Sequence, residues 1–130
     1  MPVKPEIVSF LIADMVIREA GTNKWSAIGI FDHILAANFP FVLPGLSLYI
    51  RLSDAEGEYK IRVEFCDDKD RVLAFHEGIT LSIPSRLLNP DFGIKTRDLP
   101  LPTPGKYYFK LYFNGEFAKG FPLEVLDTSK

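Results

Sequence analysis

Apolar and polar positions alternate with period two along most of this chain. From Lys106 to Phe113, the side chains Tyr107, Phe109, Leu111 and Phe113 interleave with Lys106, Tyr108, Lys110 and Tyr112. That is the pattern of a strand with one apolar and one amphipathic face. Asn114-Gly115 follows, and Asn-Gly supplies the two positive-φ residues of a type I′ turn, whose twist matches the flanking strands. Pro104 to Val125 therefore predicts a long hairpin. The alternation recurs in Leu46–Ser53, with Leu46, Leu48, Ile50 and Leu52 inward, and in Tyr59–Cys66, with Tyr59, Ile61, Val63 and Phe65 on one face. Turns separate these runs at Gly57 and at the charged Asp67–Arg71.

Ile7–Ile17 breaks the alternation. IVSFLIADMVI is apolar at both parities, which predicts a strand buried on both faces and interrupted by Asp14. Trp25–Asp32 predicts a second strand across the Gly21 turn. In that hairpin Asp14 falls opposite Ile28 or Gly29, and Gly29 marks a bulge or a close backbone approach. His33–Gly45 predicts a long apolar connection, because Pro40 and Pro44 forbid a regular helix or central strand across it. Its first part, His33–Ala37, could make one helical turn. Val72–Phe75 and Ile79–Ile83 predict two short strands broken near Gly78, and Phe92–Leu99 an edge strand. Pro100–Pro104 predicts a stiff lead-in to the hairpin. Regularly spaced short strands without a strong helix argue an all-β fold. The expectation is a single domain over residues 1–130, an antiparallel immunoglobulin-like β-sandwich of about seven to eight strands.

Composition adds exclusions. A chain of 130 residues with 47% hydrophobic residues and eleven Phe is too apolar to remain disordered. The net charge is −2, and basic residues are scattered singly, so no basic stripe suggests nucleic acid. A single cysteine, Cys66, excludes an internal disulfide and fits a reducing compartment. No signal peptide and no run of about 18 apolar residues is legible, so no membrane span and a cytoplasmic location are expected.

Ala13-Asp14, Lys24-Trp25-Ser26, Gly29-Ile30-Phe31-Asp32, Phe39-Pro40 and Pro104-Gly105-Lys106-Tyr107 resemble the pattern of an uncharacterised bacterial family of small domains of unknown function. The resemblance covers most of the chain. It implies a bacterial source and carries over no functional residue. The Pro-Gly-x-Tyr lead-in to a late strand is also similar to immunoglobulin-like domains, although the cysteine pair of antibody domains is absent.

Candidate chemistry is sparse. A cysteine nucleophile needs a base within hydrogen-bond reach. A hairpin closed at Asp67–Arg71 puts His76 about 13 Å from Cys66 at strand rise, so that dyad fails. The acidic clusters Asp67, Asp68, Asp70 and Asp54, Glu56, Glu58 are each short of the six to eight oxygens calcium takes. Two distant histidines and one cysteine give no zinc pattern. No catalytic residue, metal or cofactor is expected. Asp14 interrupts an apolar run, and a buried carboxylate needs a partner. It is expected to be structural, or else part of a small polar ligand site with Trp25, Asp32 and His33. Such a site would suit a small ligand-binding or hydrolase-like protein. Two surfaces suggest a protein partner or self-association. One is the apolar connection with Phe39, Phe41 and Val42. The other is the outer face of the hairpin, with Tyr108 and Tyr112 beside Lys106 and Lys110. The reading favoured by sequence is a non-enzymatic binding or assembly module.

Overall fold

The computed structural model describes residues 4–129. Among them the chain forms eleven strands and no helix. These are β1 (Glu6–Arg18), β2 (Trp25–Ile30), β3 (His33–Ala36), β4 (Phe41–Leu43), β5 (Ser47–Ser53), β6 (Gly57–Cys66), β7 (Val72–Ile83), β8 (Asp91–Lys95), β9 (Leu99–Leu101), β10 (Gly105–Phe113) and β11 (Glu116–Asp127). The fold is all-β, with eleven strands rather than seven or eight. The extra ones come mostly from stretches whose prolines argued against strands. His33–Gly45 holds β3 and β4 instead of an irregular connection, and His33–Ala36 is extended rather than helical. Phe92–Leu99 divides into β8 and β9. Pro100 lies within β9 opposite Val42, in a ribbon of only two strands. Such a ribbon leaves an open edge to which a proline can turn its missing N–H. In the other direction, the two strands expected around Gly78 are one, since Gly78 takes φ 98° without ending β7.

The chain divides into two compact units. The second contains Asp32–Gly45, Lys60–Ile79 and the chain from Arg97 onward. Its main sheet has the order β3-β11-β10-β6-β7, and β4 pairs with β9 in a small second sheet. The terminal hairpin turns at Asn114-Gly115 with both φ angles positive, 52° and 81°. Its buried face carries Tyr107, Phe109, Leu111 and Phe113, as the alternation requires. Phe65 of β6 stacks on Tyr107 at 5.3 Å between ring centroids, and lies 5.0 Å from Phe109. The Tyr107 hydroxyl donates to the Thr103 carbonyl at 2.5 Å, tying the strand to its own lead-in. β3 runs parallel to β11, with His33 beside Glu124.

The first unit contains the chain up to Phe31, Leu46–Tyr59 and Thr80–Thr96. Its sheet has the order β2-β1-β5-β8. β1 outruns β5: the last pair between them is Ala13 with Ser47. From Asp14 onward β1 keeps only β2 as a partner, with Met15 opposite Ile28 and Arg18 opposite Trp25. This two-stranded ribbon does not continue in the plane of the sheet. Gly93 on β8 is paired with Tyr49, which is paired with Leu11. In a flat sheet Val16 would then lie roughly 19 Å from Gly93, from five residues of rise and two strand spacings. Instead, a Cβ at Gly93 would stand 3.0 Å from Val16 Cγ1 and 2.9 Å from Trp25 Cζ3. The ribbon folds back across the sheet and lays Val16 and Trp25 on β8. Its crossing buries Ala13 completely and Ser47 almost so.

The fold-back corrects the expectation that β1 is buried on both faces. Ile12 and Ala13 are buried, but Met15 and Ile17 are exposed. Asp14 is exposed as well, so no buried partner is required of it. Its predicted register holds: it stands across from Gly29, where a Cβ would come within 2.3 Å of Asp14 Oδ2. Gly29 has φ 71°, and any side chain there would be both strained and in collision.

Replacing Gly93 by alanine should crowd the Trp25 ring, a rigid group held on the sheet. The expected loss is about 1–3 kcal/mol, seen as a thermal midpoint lower by roughly 5 °C or more. Adding Trp25→Leu to Gly93→Ala should recover part of it, since the two positions touch. An unchanged midpoint in Gly93→Ala would remove the contact from the account.

Candidate functional site

The amphipathic face of the hairpin is the most structured surface in the second unit. Outward residues of β10 meet outward residues of both neighbours. Tyr112 pairs with Phe117 on β11 and with Arg62 on β6, and Lys110 pairs with Gly120 and Glu64. The β10–β11 register shifts once, from Leu111 opposite Lys119 to Tyr112 opposite Phe117. Ala118 is the extra residue of that bulge, and the bulge returns Phe117 to the outer face beside Tyr112. The two rings meet edge to face at 5.6 Å. On the other side, the Arg62 guanidinium lies over the Phe75 ring, 4.1 Å from its centroid. Arg62 also donates to two carboxylates, Nε to Glu64 at 3.0 Å and Nη1 to Glu77 at 2.8 Å. The result is one row across four strands: Phe117, Tyr112, Arg62 and Phe75.

Charge on this face is fixed in pairs. The Lys110 ammonium donates to Asp70 at 2.6 Å, and that bond raises its pKa. Burial, and then the adjacent Glu64 carboxylate, push the Tyr112 hydroxyl up. A charged group held by fixed partners loses little freedom when a ligand docks over it. The large rings remain open, with Phe75 58% and Phe117 51% exposed. Tyr108 and Tyr112 are half-buried. Sequence reading found the two tyrosines but missed Arg62, Phe75 and Phe117. Phe117 was hidden by the bulge, which breaks the count of alternation after the turn. Phe75 required knowing that β7 lies beside β6.

The other predicted positions separate. Asp14 and Trp25 belong to the first unit, and Asp32 and His33 to the second. Trp25 is placed on Gly93, with the Arg18 guanidinium 5.8 Å from its ring centroid. Asp32 and His33 are joined by a 2.8 Å contact from Nδ1 to Oδ1, on side chains 93% and 52% exposed. The hydrogen bond to His33 holds the Asp32 carboxyl below its usual range. Phe39 and Phe41 are half-buried, while Val42 faces solvent. Among the described residues no three His, Cys, Asp or Glu side chains converge to hold a metal ion. No helix among them is long and apolar enough to cross a membrane.

Two remaining titratable groups have structural settings. Cys66 is fully buried, and burial pushes its thiol up, away from the thiolate a nucleophile needs. Asp67 is also buried, which by itself raises a carboxyl pKa. The backbone N–H groups of Lys69 and Arg71, each at 2.9 Å, and Arg71 Nε at 2.6 Å outweigh that and lower it. The acidic turn is thus closed on its own chain.

Iodoacetamide at about pH 8 should leave native Cys66 unlabelled and label it after denaturation; rapid labelling of the native protein would contradict the burial. For Asp67 the sign follows from its lowered pKa. Its stabilisation is complete above the unfolded value of about 4 and is lost as pH falls through the folded value. Asp67→Asn should therefore lower the urea midpoint at neutral pH, with the gap to wild type closing below about pH 4. A gap that stays constant with pH would show that the charge of Asp67 contributes nothing.

Among solved structures, the chain is similar to part of β-glucosidase from Listeria innocua. The complex with glucose matches at 13% identity and a TM-score of 0.48, covering 94% of this chain and 16% of that one. A mutant of the enzyme in complex with laminaribiose matches at 12% identity and a TM-score of 0.48, covering 95% and 16%. The chain thus spans about a sixth of the length of these structures. No curated protein matches it. A family model does match, over residues 8–126, and the chain belongs to that family of unknown function, DUF6941.

Proposed function

We propose that this protein is a non-enzymatic binding module that presents the outer face of the β10–β11 hairpin, with the adjoining residues of β6 and β7, to a protein partner. The single observation that carries this reading is the row Phe117, Tyr112, Arg62, Phe75. It is built on four adjacent strands, and its two end rings are more than half exposed. Aromatic residues and arginine are the types enriched at interface cores and among their energetic hot spots. Here the arginine is already stacked and clamped, so a partner meets a rigid surface.

The scaffold assumed is a β-sandwich of immunoglobulin type. The bond from Tyr107 to Thr103 supports that assumption, because it has the form of a tyrosine corner. A bacterial cytoplasm is the setting assumed. The alternative use of Asp14, Asp32 and His33 for ligand binding or hydrolysis rests only on the Asp32–His33 contact. That contact is solvated on both sides, where a carboxylate shifts a histidine least.

Immobilised wild-type protein and a Phe75→Ser/Phe117→Ser variant, each incubated with lysate of the source organism, test the proposal. A partner held by wild type should bind the variant about 30-fold more weakly, as loss of a hot spot requires. Equal retention on both would place the binding surface elsewhere. Both positions are exposed, so the variant should melt with the wild type.

A further inference from the structure

The fold-back of the β1–β2 ribbon has a second face. Val16 and Trp25 lie on β8, and the alternate positions point away from it. On that outward face Met15 is 51% exposed, Ile17 39%, Ile28 53% and Ile30 59%. Met15 and Ile28 are direct cross-strand partners, and Ile17 and Ile30 flank them. The four form one contiguous patch. β2 is the last strand of its sheet, so no strand among the described residues lies beyond Ile28 and Ile30. This is the part of the chain whose sequence reads as buried on both faces.

We propose that this face is the docking site for a second copy of the same chain. The choice of occupant rests on charge and on area. The six paired positions on this side of the ribbon are Ala13, Met15, Ile17, Ser26, Ile28 and Ile30, and none is charged. Nucleic acid and anionic lipid surfaces are recognised by basic groups, which are missing here. A partner selected by complementary charge has nothing to engage. An uncharged face can meet its own copy in a two-fold contact without opposing like charges and without burying an unpaired ion. The open apolar surface of the four side chains is roughly 400 Å², the size at which patches mark interaction sites. Two such faces with a polar rim make an interface of about 1,200 Å², the lower bound for a specific dimer. The dimer is therefore reversible and concentration-dependent. It would present two copies of the hairpin face together, which strengthens binding to a multivalent partner without any new contact.

Sedimentation velocity over about 5 to 500 μM protein, spanning the range of a weak complex, tests this. The weight-average mass of wild type should rise from 14.7 kDa toward twice that value. Ile28→Lys should hold at the monomer mass throughout, because each two-fold contact would bury two unpaired charges. Ile28→Thr keeps the β-branched shape and should shift the midpoint of association about tenfold upward; it serves where the lysine variant fails to fold. Phe75→Ser/Phe117→Ser should associate as wild type does, which separates this site from the hairpin face. A wild type that stays monomeric across the range would overturn the proposal, as would an Ile28→Lys protein that still dimerises. Binding of a monomeric wild type to neutral phosphatidylcholine vesicles would reassign the patch to lipid.

Discussion

The ladder on both sides of β10 is the constraint on which the functional surface depends. β10 is hydrogen-bonded to β6 and to β11 over most of its length. Alternation then leaves no freedom over which side chains are buried. A slip of one residue would exchange Phe109 and Leu111 for Lys110 and Tyr112, placing a lysine where a phenylalanine is now almost fully buried. The same register that buries one row of rings aligns the other row outward. The binding face is therefore a by-product of the strand order that builds the core, and is as rigid as that core.

The first unit depends on a different device. Gly93 has no side chain, and into that space the ribbon lays Val16 and Trp25. Gly29 allows the companion approach of Asp14 on the ribbon itself. Two missing side chains thus let a two-stranded extension leave the plane of its sheet and cover it. The cost is an uncovered apolar face on the far side of the ribbon. The hairpin face mixes rings with paired charges, whereas this ribbon face has no charge at all. Different occupants follow from that difference.

Much of the fold was legible in the residues. Period two in β5, β6 and β10, the Asn114-Gly115 turn and the register of Asp14 with Gly29 are local signals, set by backbone geometry and by neighbours a few positions away. The family could likewise be recognised from short motifs. Local rules failed where a stretch has a partner distant in sequence. β9 tolerates Pro100 because it pairs only with β4, some sixty residues earlier. β3 is a strand because β11 offers it a parallel edge. Asp14 looked like an acid in need of a partner, but β1 had already outrun β5 at that point and left it in solvent.

By itself, then, the sequence determined an all-β chain, its terminal hairpin, the buried rows of its longest strands and half of its aromatic outer face. These depend on alternation and turn chemistry, which act within a single strand or across one tight turn. The tertiary structure alone decided that Arg62 stacks on Phe75, that a bulge at Ala118 brings Phe117 beside Tyr112, and that the β1–β2 ribbon folds back onto Gly93. Each joins residues through strand order or close packing, and the free energy of such contacts depends on neighbours that no local pattern specifies.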